Sequence, residues 1–143
     1  MKKKYLDHIR RTTFSNGLAG CVVGKPKIEN LKSMLNDFPA IKRIYAVGAE
    51  TTEYNNNGII FINTAKEIKE KLDFVYISED DYKTTKDRLK TYFPFVKHGS
   101  IIGGHDLKAD NYEFIKAILE FTNKYELSLR VKKDEWFITK NVW

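Results

Sequence analysis

The chain has 143 residues, 42% of them hydrophobic, with a formal net charge of +6 and a pI near 9.3. That length buries roughly 70% of the unfolded surface, enough for one core without staples, and the single cysteine, Cys21, excludes an internal disulfide. A mean hydropathy of -0.48, no apolar run of membrane-span length, and a basic start (Lys2, Lys3, Lys4) followed by Asp7, His8, Arg10 and Arg11 instead of an apolar leader together predict a soluble, cytoplasmic protein.

Residues 5–14 read as a short helix with Tyr5, Ile9 and Phe14 inward, broken by Ser15-Asn16-Gly17. Residues 18–24 read as the first strand, in which Cys21 is a buried, inert thiol. An amphipathic helix over 26–38 places Ile28, Leu31, Leu35 and Phe38 on one face and ends before Pro39. Strand 41–47 follows, then Thr51-Thr52-Glu53-Tyr54, the turn Asn55-Asn56-Asn57-Gly58, a strand over 59–62 and a helix over 65–71.

The most informative stretch comes next. Residues 72–77 are apolar, β-branched and aromatic, as in a strand buried on both faces of a parallel sheet, and their exit carries Glu79, Asp80 and Asp81. The following helix turns Tyr82, Thr85, Leu89 and Tyr92 inward and Lys83, Lys86, Asp87 and Lys90 outward. The turn Lys97-His98-Gly99 is expected to stop it, and a strand over 100–104 delivers His105 and Asp106. A right-handed crossover makes these two strands parallel, so both acidic clusters emerge at one sheet edge, where open α/β sheets bind ligands. A hairpin of 127–131 with 136–140 closes the chain. The fold class is therefore α/β, one domain over residues 1–143, without linker or internal repeat.

The positive charge invites a nucleic-acid reading, but the lysines alternate with acids, as on solvated helix faces. The N-terminal arm (Lys2, Lys3, Lys4, Arg10, Arg11) is the best local candidate, and no nucleic-acid role is assigned. No zinc pattern, P-loop or G-x-S-x-G elbow occurs.

The residues Phe74-Val75-Tyr76-Ile77-Ser78-Glu79-Asp80-Asp81-Tyr82 and Pro94-Phe95-Val96-Lys97-His98-Gly99-Ser100-Ile101-Ile102-Gly103-Gly104-His105-Asp106 resemble the words F-V-Y-I-D-G-D-H-S-Y-E and P-x-V-K-x-G-G-I-I-G-G-H-D-Y. Those words mark the macrocin O-methyltransferase-like group of class I methyltransferases, many of which act on sugars or polyketide glycosides. The resemblance extends to Lys116-Ala117-Ile118-Leu119-Glu120-Phe121 and Glu135-Trp136-Phe137-Ile138-Thr139-Lys140. It implies a Rossmann-like, mostly parallel sheet in the order 3-2-1-4-5-7-6, with an antiparallel C-terminal strand.

The resemblance also implies S-adenosylmethionine, held by a glycine-rich loop after strand one and a carboxylate ending strand two, and Mg²⁺ held by acids after strands four and five. Here Gly24 matches the first glycine, while Val22 and Ile28 replace the expected acid and second glycine. Gly48 stands where the ribose acid belongs, with Glu50 two residues on as its substitute or as a plain surface glutamate. Ser78 replaces the first metal-site Asp, leaving Asp80 and Asp106 as a weakened Mg²⁺ pair. Losing such contacts removes about 10²- to 10⁴-fold of affinity. His105, with Asp106 fixing its tautomer, reads either as a general base for an acceptor hydroxyl or as a strand-end structural pair. Two functions follow: an O-methyltransferase for a small or sugar-like hydroxyl acceptor, or a degenerate methyltransferase fold serving as a binding or assembly module. Phe137 and Trp143, with Trp136 either beside them or in the core, are expected to expose an apolar patch on the C-terminal hairpin, through which a second copy or a partner protein binds.

Overall fold

The computed structural model describes residues 17–49 and 58–141. Its elements are β1 (Leu18–Val23), α1 (Ile28–Asp37), β2 (Ile41–Val47), β3 (Ile59–Ile62), β4 (Leu72–Ile77), α2 (Tyr82–Tyr92), β5 (Val96–Gly104), α3 (Tyr112–Lys124), β6 (Leu129–Lys132) and β7 (Glu135–Thr139). The seven strands form one sheet in the order β3-β2-β1-β4-β5-β7-β6, parallel except where β7 runs against β5 and β6. This is the order and the antiparallel ending that the resemblance implies.

Strands β1 and β4 are buried at every position because they lie at the sheet centre, covered on both faces. On one face α1 packs Leu31 and Met34 with Ile44, Phe74 and Ile101. On the other, Leu89 of α2 and Phe114 and Ile118 of α3 meet Val75, Ile102 and Trp136. Side chains cap the two helices that follow β4 and β5: Asp81 accepts from Thr84 N at 2.7 Å, and Asn111 accepts from Phe114 N at 3.3 Å. Cys21 is fully buried, and burial pushes its thiol well above the ordinary range. Among the described residues, no helix is long and apolar enough to cross a membrane.

Three local expectations are corrected, and one alternative, the place of Trp136, is decided. Residues 65–71 form a single 3₁₀ turn, Ala65–Glu67, closed by a Thr64/Glu67 capping box. The chain then runs extended so that Ile68 enters the core and Glu70 reaches Arg43 and Tyr45. Lys97-His98-Gly99 lies inside β5, which begins at Val96 after a 3₁₀ turn at Phe93–Phe95; Gly99, at φ +85°, absorbs a register irregularity against β4. The hairpin starts at Leu129, because residues 125–127 are spent closing α3, with Leu127 N bonded to Thr122 O at 2.9 Å. Trp136 is fully buried and stacks edge-on against Phe114, so it belongs to the core and adds nothing to an exposed patch. The expected helix over 5–14, the basic arm, Glu50 and Trp143 lie outside the described residues.

Candidate functional site

The parallel strands β1, β2, β4 and β5 end at one edge, and the chemistry-bearing residues collect there. At β1, Gly24 leaves the strand with φ +108° and Lys25 follows at +55°, while Gly48 ends β2 at +78°. The Gly24 amide donates to Val47 O at 3.4 Å, setting the two left-handed turns side by side. Among the described residues, a Cβ at Gly48 would meet nothing closer than Lys25 N at 3.5 Å.

Gly24 is tight for a different reason. A Cβ there would lie 2.8 Å from both Cβ and Oγ of Ser78 and 3.3 Å from Arg88 Nη1. Ser78 Oγ donates to Gly24 O at 3.1 Å, and Ser78 N donates to Val23 O at 3.1 Å, which ties the end of β4 to the first turn. Arg88 reaches up from α2 to Ser78 O at 3.5 Å and pairs with Asp80 Oδ2 at 3.3 Å. Of the remaining acids, Asp81 caps α2, and hydrogen bonding from Thr84 N holds its carboxyl below the usual range. Glu79 accepts from Asn111 Nδ2 at 2.6 Å.

At β5 the register decides what meets. Tyr76 lies opposite Gly103, and two residues on, on the same face, stands His105. The two rings stack at 5.3 Å, with Tyr76 Oη 3.4 Å from His105 Nε2. That nitrogen is 2.8 Å from Asp106 Oδ2, while Asp106 Oδ1 lies 3.6 Å from Lys108 Nζ. Nδ1 is the buried face of the imidazole and Asp106 is about one-third exposed, so the carboxylate faces outward. Asp106 adopts φ +63°, a conformation Asp tolerates better than most residues.

The structure thus brings Gly24, Ser78 and Asp80 together beside Arg88, and His105 with Asp106 directly, with Tyr76 stacked on the imidazole; Gly48 neighbours the first group. Sequence reasoning missed Arg88 and Tyr76. Tyr76 was legible in principle, since strand alternation puts it on the face of the residue two beyond Gly103. Arg88 carried only one signal: it stands off the outward lysine row of its helix.

For Mg²⁺ the described residues do not fit. Asp80 is paired with Arg88 and Asp106 with His105 and Lys108, and no group of three or more His, Cys, Asp or Glu that could hold a metal ion occurs among the described residues. For a nucleoside cofactor, the described residues leave room for a Cβ at the Gly48 turn beside Lys25. No carboxylate ends β2 among the described residues, and Glu50, the expected substitute, lies outside them.

A seven-stranded, mostly parallel sheet of this order, with polar groups gathered at the C-terminal strand ends, is a Rossmann-like α/β fold of the kind seen in methyltransferases. Solved structures with the same fold include CalS11, a TDP-rhamnose 3'-O-methyltransferase of calicheamicin biosynthesis (13% identity, TM-score 0.63, 95% of this chain and 78% of that one). Others are the O-methyltransferase NovP (12%, 0.67, 97% and 80%) and MycE, a methyltransferase of the mycinamycin pathway in complex with Mg, SAH and mycinamycin VI (15%, 0.68, 96% and 47%). The chain spans about half the length of MycE. No family model and no curated protein matches the sequence. The fold is that of the class I methyltransferases.

Proposed function

We propose that the chain binds S-adenosylmethionine over the paired turns at Gly24 and Gly48, with Glu50 at the ribose, and methylates a small or sugar-like hydroxyl acceptor held at Asp106. The observation that carries this reading is the His105/Asp106 pair beside Tyr76, on the strand next to β4 at the ligand-binding edge. The bound cofactor supplies an electrophilic methyl group. This chain's residues deal with the acceptor. A proton on His105 Nε2 points at Asp106 Oδ2 and fixes the carboxylate, so that Oδ1, which also faces Lys108 Nζ at 3.6 Å, accepts from the acceptor hydroxyl and draws off its proton. Stacking on Tyr76 keeps the imidazole from turning.

A second reading is favoured by one feature. Ser78 and Arg88 fill the space around Gly24, and Arg88 engages Asp80, so part of the edge is already satisfied by the protein itself. That arrangement suits a fold retained as a binding module. Calorimetry with S-adenosylmethionine and S-adenosylhomocysteine separates the two. The first reading requires binding, on the order of 10 μM or weaker given the missing acid, and loss of methyl transfer without loss of binding in Asp106→Asn. Absence of heat at millimolar cofactor refutes it.

A further inference from the structure

The outward lysines of α2, read from the sequence as a solvated face, are exposed, and two of them also rim a groove. Lys86 and Lys90 line a groove of about 150 Å³ between α2 and α3, together with Glu120, Phe121, Lys124 and Tyr125. Its apolar wall is built from Phe121 and Tyr125, whose rings sit 5.0 Å apart. Lys124 Nζ lies 5.3 Å from the Tyr125 ring centroid, and Glu120, the acid among these lining residues, accepts a hydrogen bond from Tyr82. Lys116 and Lys86 flank that tyrosine, at 4.8 and 5.6 Å from its ring. The groove therefore has an apolar wall and a rim that is net positive.

We infer that this groove docks an acidic segment of a partner protein, which inserts one apolar side chain against Phe121 and Tyr125 and sets carboxylates against Lys86, Lys90 and Lys124. Size selects the occupant: the volume is below the roughly 300 to 1,000 Å³ of metabolite pockets and suits a single anchoring side chain. Charge selects its surroundings, since a rim of three lysines repels a basic partner and steers an acidic one. A nucleic-acid strand is the poorer match, because it needs successive ring faces along a basic track and this groove has room for one side chain. The groove lies towards the C-terminal ends of α2 and α3, whereas the candidate site lies where these helices begin, so docking leaves that site open.

The test is selection of random dodecapeptides displayed on phage against the whole chain, followed by fluorescence anisotropy of the enriched peptide with wild type and with Lys90→Glu/Lys124→Glu. Both lysines are exposed, and circular dichroism verifies that the variant folds. The expected result is a consensus of acids around one apolar residue, with affinity falling roughly tenfold or more in the variant and with added salt. Tyr125→Ala, which trims the apolar wall without altering charge, should weaken binding as well. Failure to enrich, a neutral or basic consensus, or binding indifferent to both variants overturns the inference. So does a single-stranded dodecanucleotide that displaces the peptide and binds more tightly.

Discussion

Replacing Gly24 by alanine tests whether the first strand's turn is shaped by the protein's own packing. Two costs apply. The backbone at φ +108° is one that a residue with a Cβ rarely adopts, at about 1–2 kcal/mol. The new methyl would also stand 2.8 Å from Ser78 Cβ and Oγ, forcing overpacking of about 1–3 kcal/mol. Gly48→Ala is the control, because φ is +78° but the nearest atom among the described residues is 3.5 Å away, so the expected cost is that of the backbone. Urea unfolding should therefore show Gly24→Ala losing about 2–5 kcal/mol and Gly48→Ala about 1–2 kcal/mol. In melting temperature, each kcal/mol is worth about 2–4 °C for a chain of this size. Ser78→Ala in the Gly24→Ala background removes the Oγ overlap and should recover part of the difference. Equal losses at the two glycines would refute the packing account.

Asp73, 2% exposed, accepts from Ala19 N at 2.9 Å and pairs with Lys97 at 3.0 Å; Asp73→Ala strands a buried amide and should cost about 3 kcal/mol in denaturant unfolding. Glu70 has its carboxyl held below the ordinary value, first by the Arg43 hydrogen bond. Its stabilisation is present above the unfolded-state pKa and is lost as pH falls through the lower folded value, so Glu70→Gln should flatten the acid limb of the stability curve below about pH 4.5. Arg88→Met frees Asp80 and Ser78 O, and should change the calorimetric affinity for S-adenosylhomocysteine if these groups face the cofactor; unchanged affinity would place Arg88 in support of the turn alone. Tyr76→Phe keeps the stacked ring and removes the hydroxyl 3.4 Å from His105, so a shift in the imidazole proton resonances without loss of stability is expected by NMR.

The elements were largely legible in the sequence because their signals are local. The apolar runs at β2, β3 and β4 set strand bounds that the structure reproduces, and the spacing of Thr85, Leu89 and Tyr92 marks the buried face of α2. Strand order was legible only through family words, since composition carries no information on which strands pair. What the tertiary structure decided rests on contacts between residues far apart in the chain. The segment after β3 could not become a full helix once Ile68 had to fill the core and Glu70 had to meet Arg43 across 27 positions. Trp136 read equally as surface or core in the sequence, and its place is decided by burial against Phe114. Arg88, a long side chain with many rotamers, finds Ser78 and Asp80 only because α2 packs beneath the strand ends. Periodicity tells which way a Cβ points; where a long side chain ends is decided by the neighbours that packing brings to it.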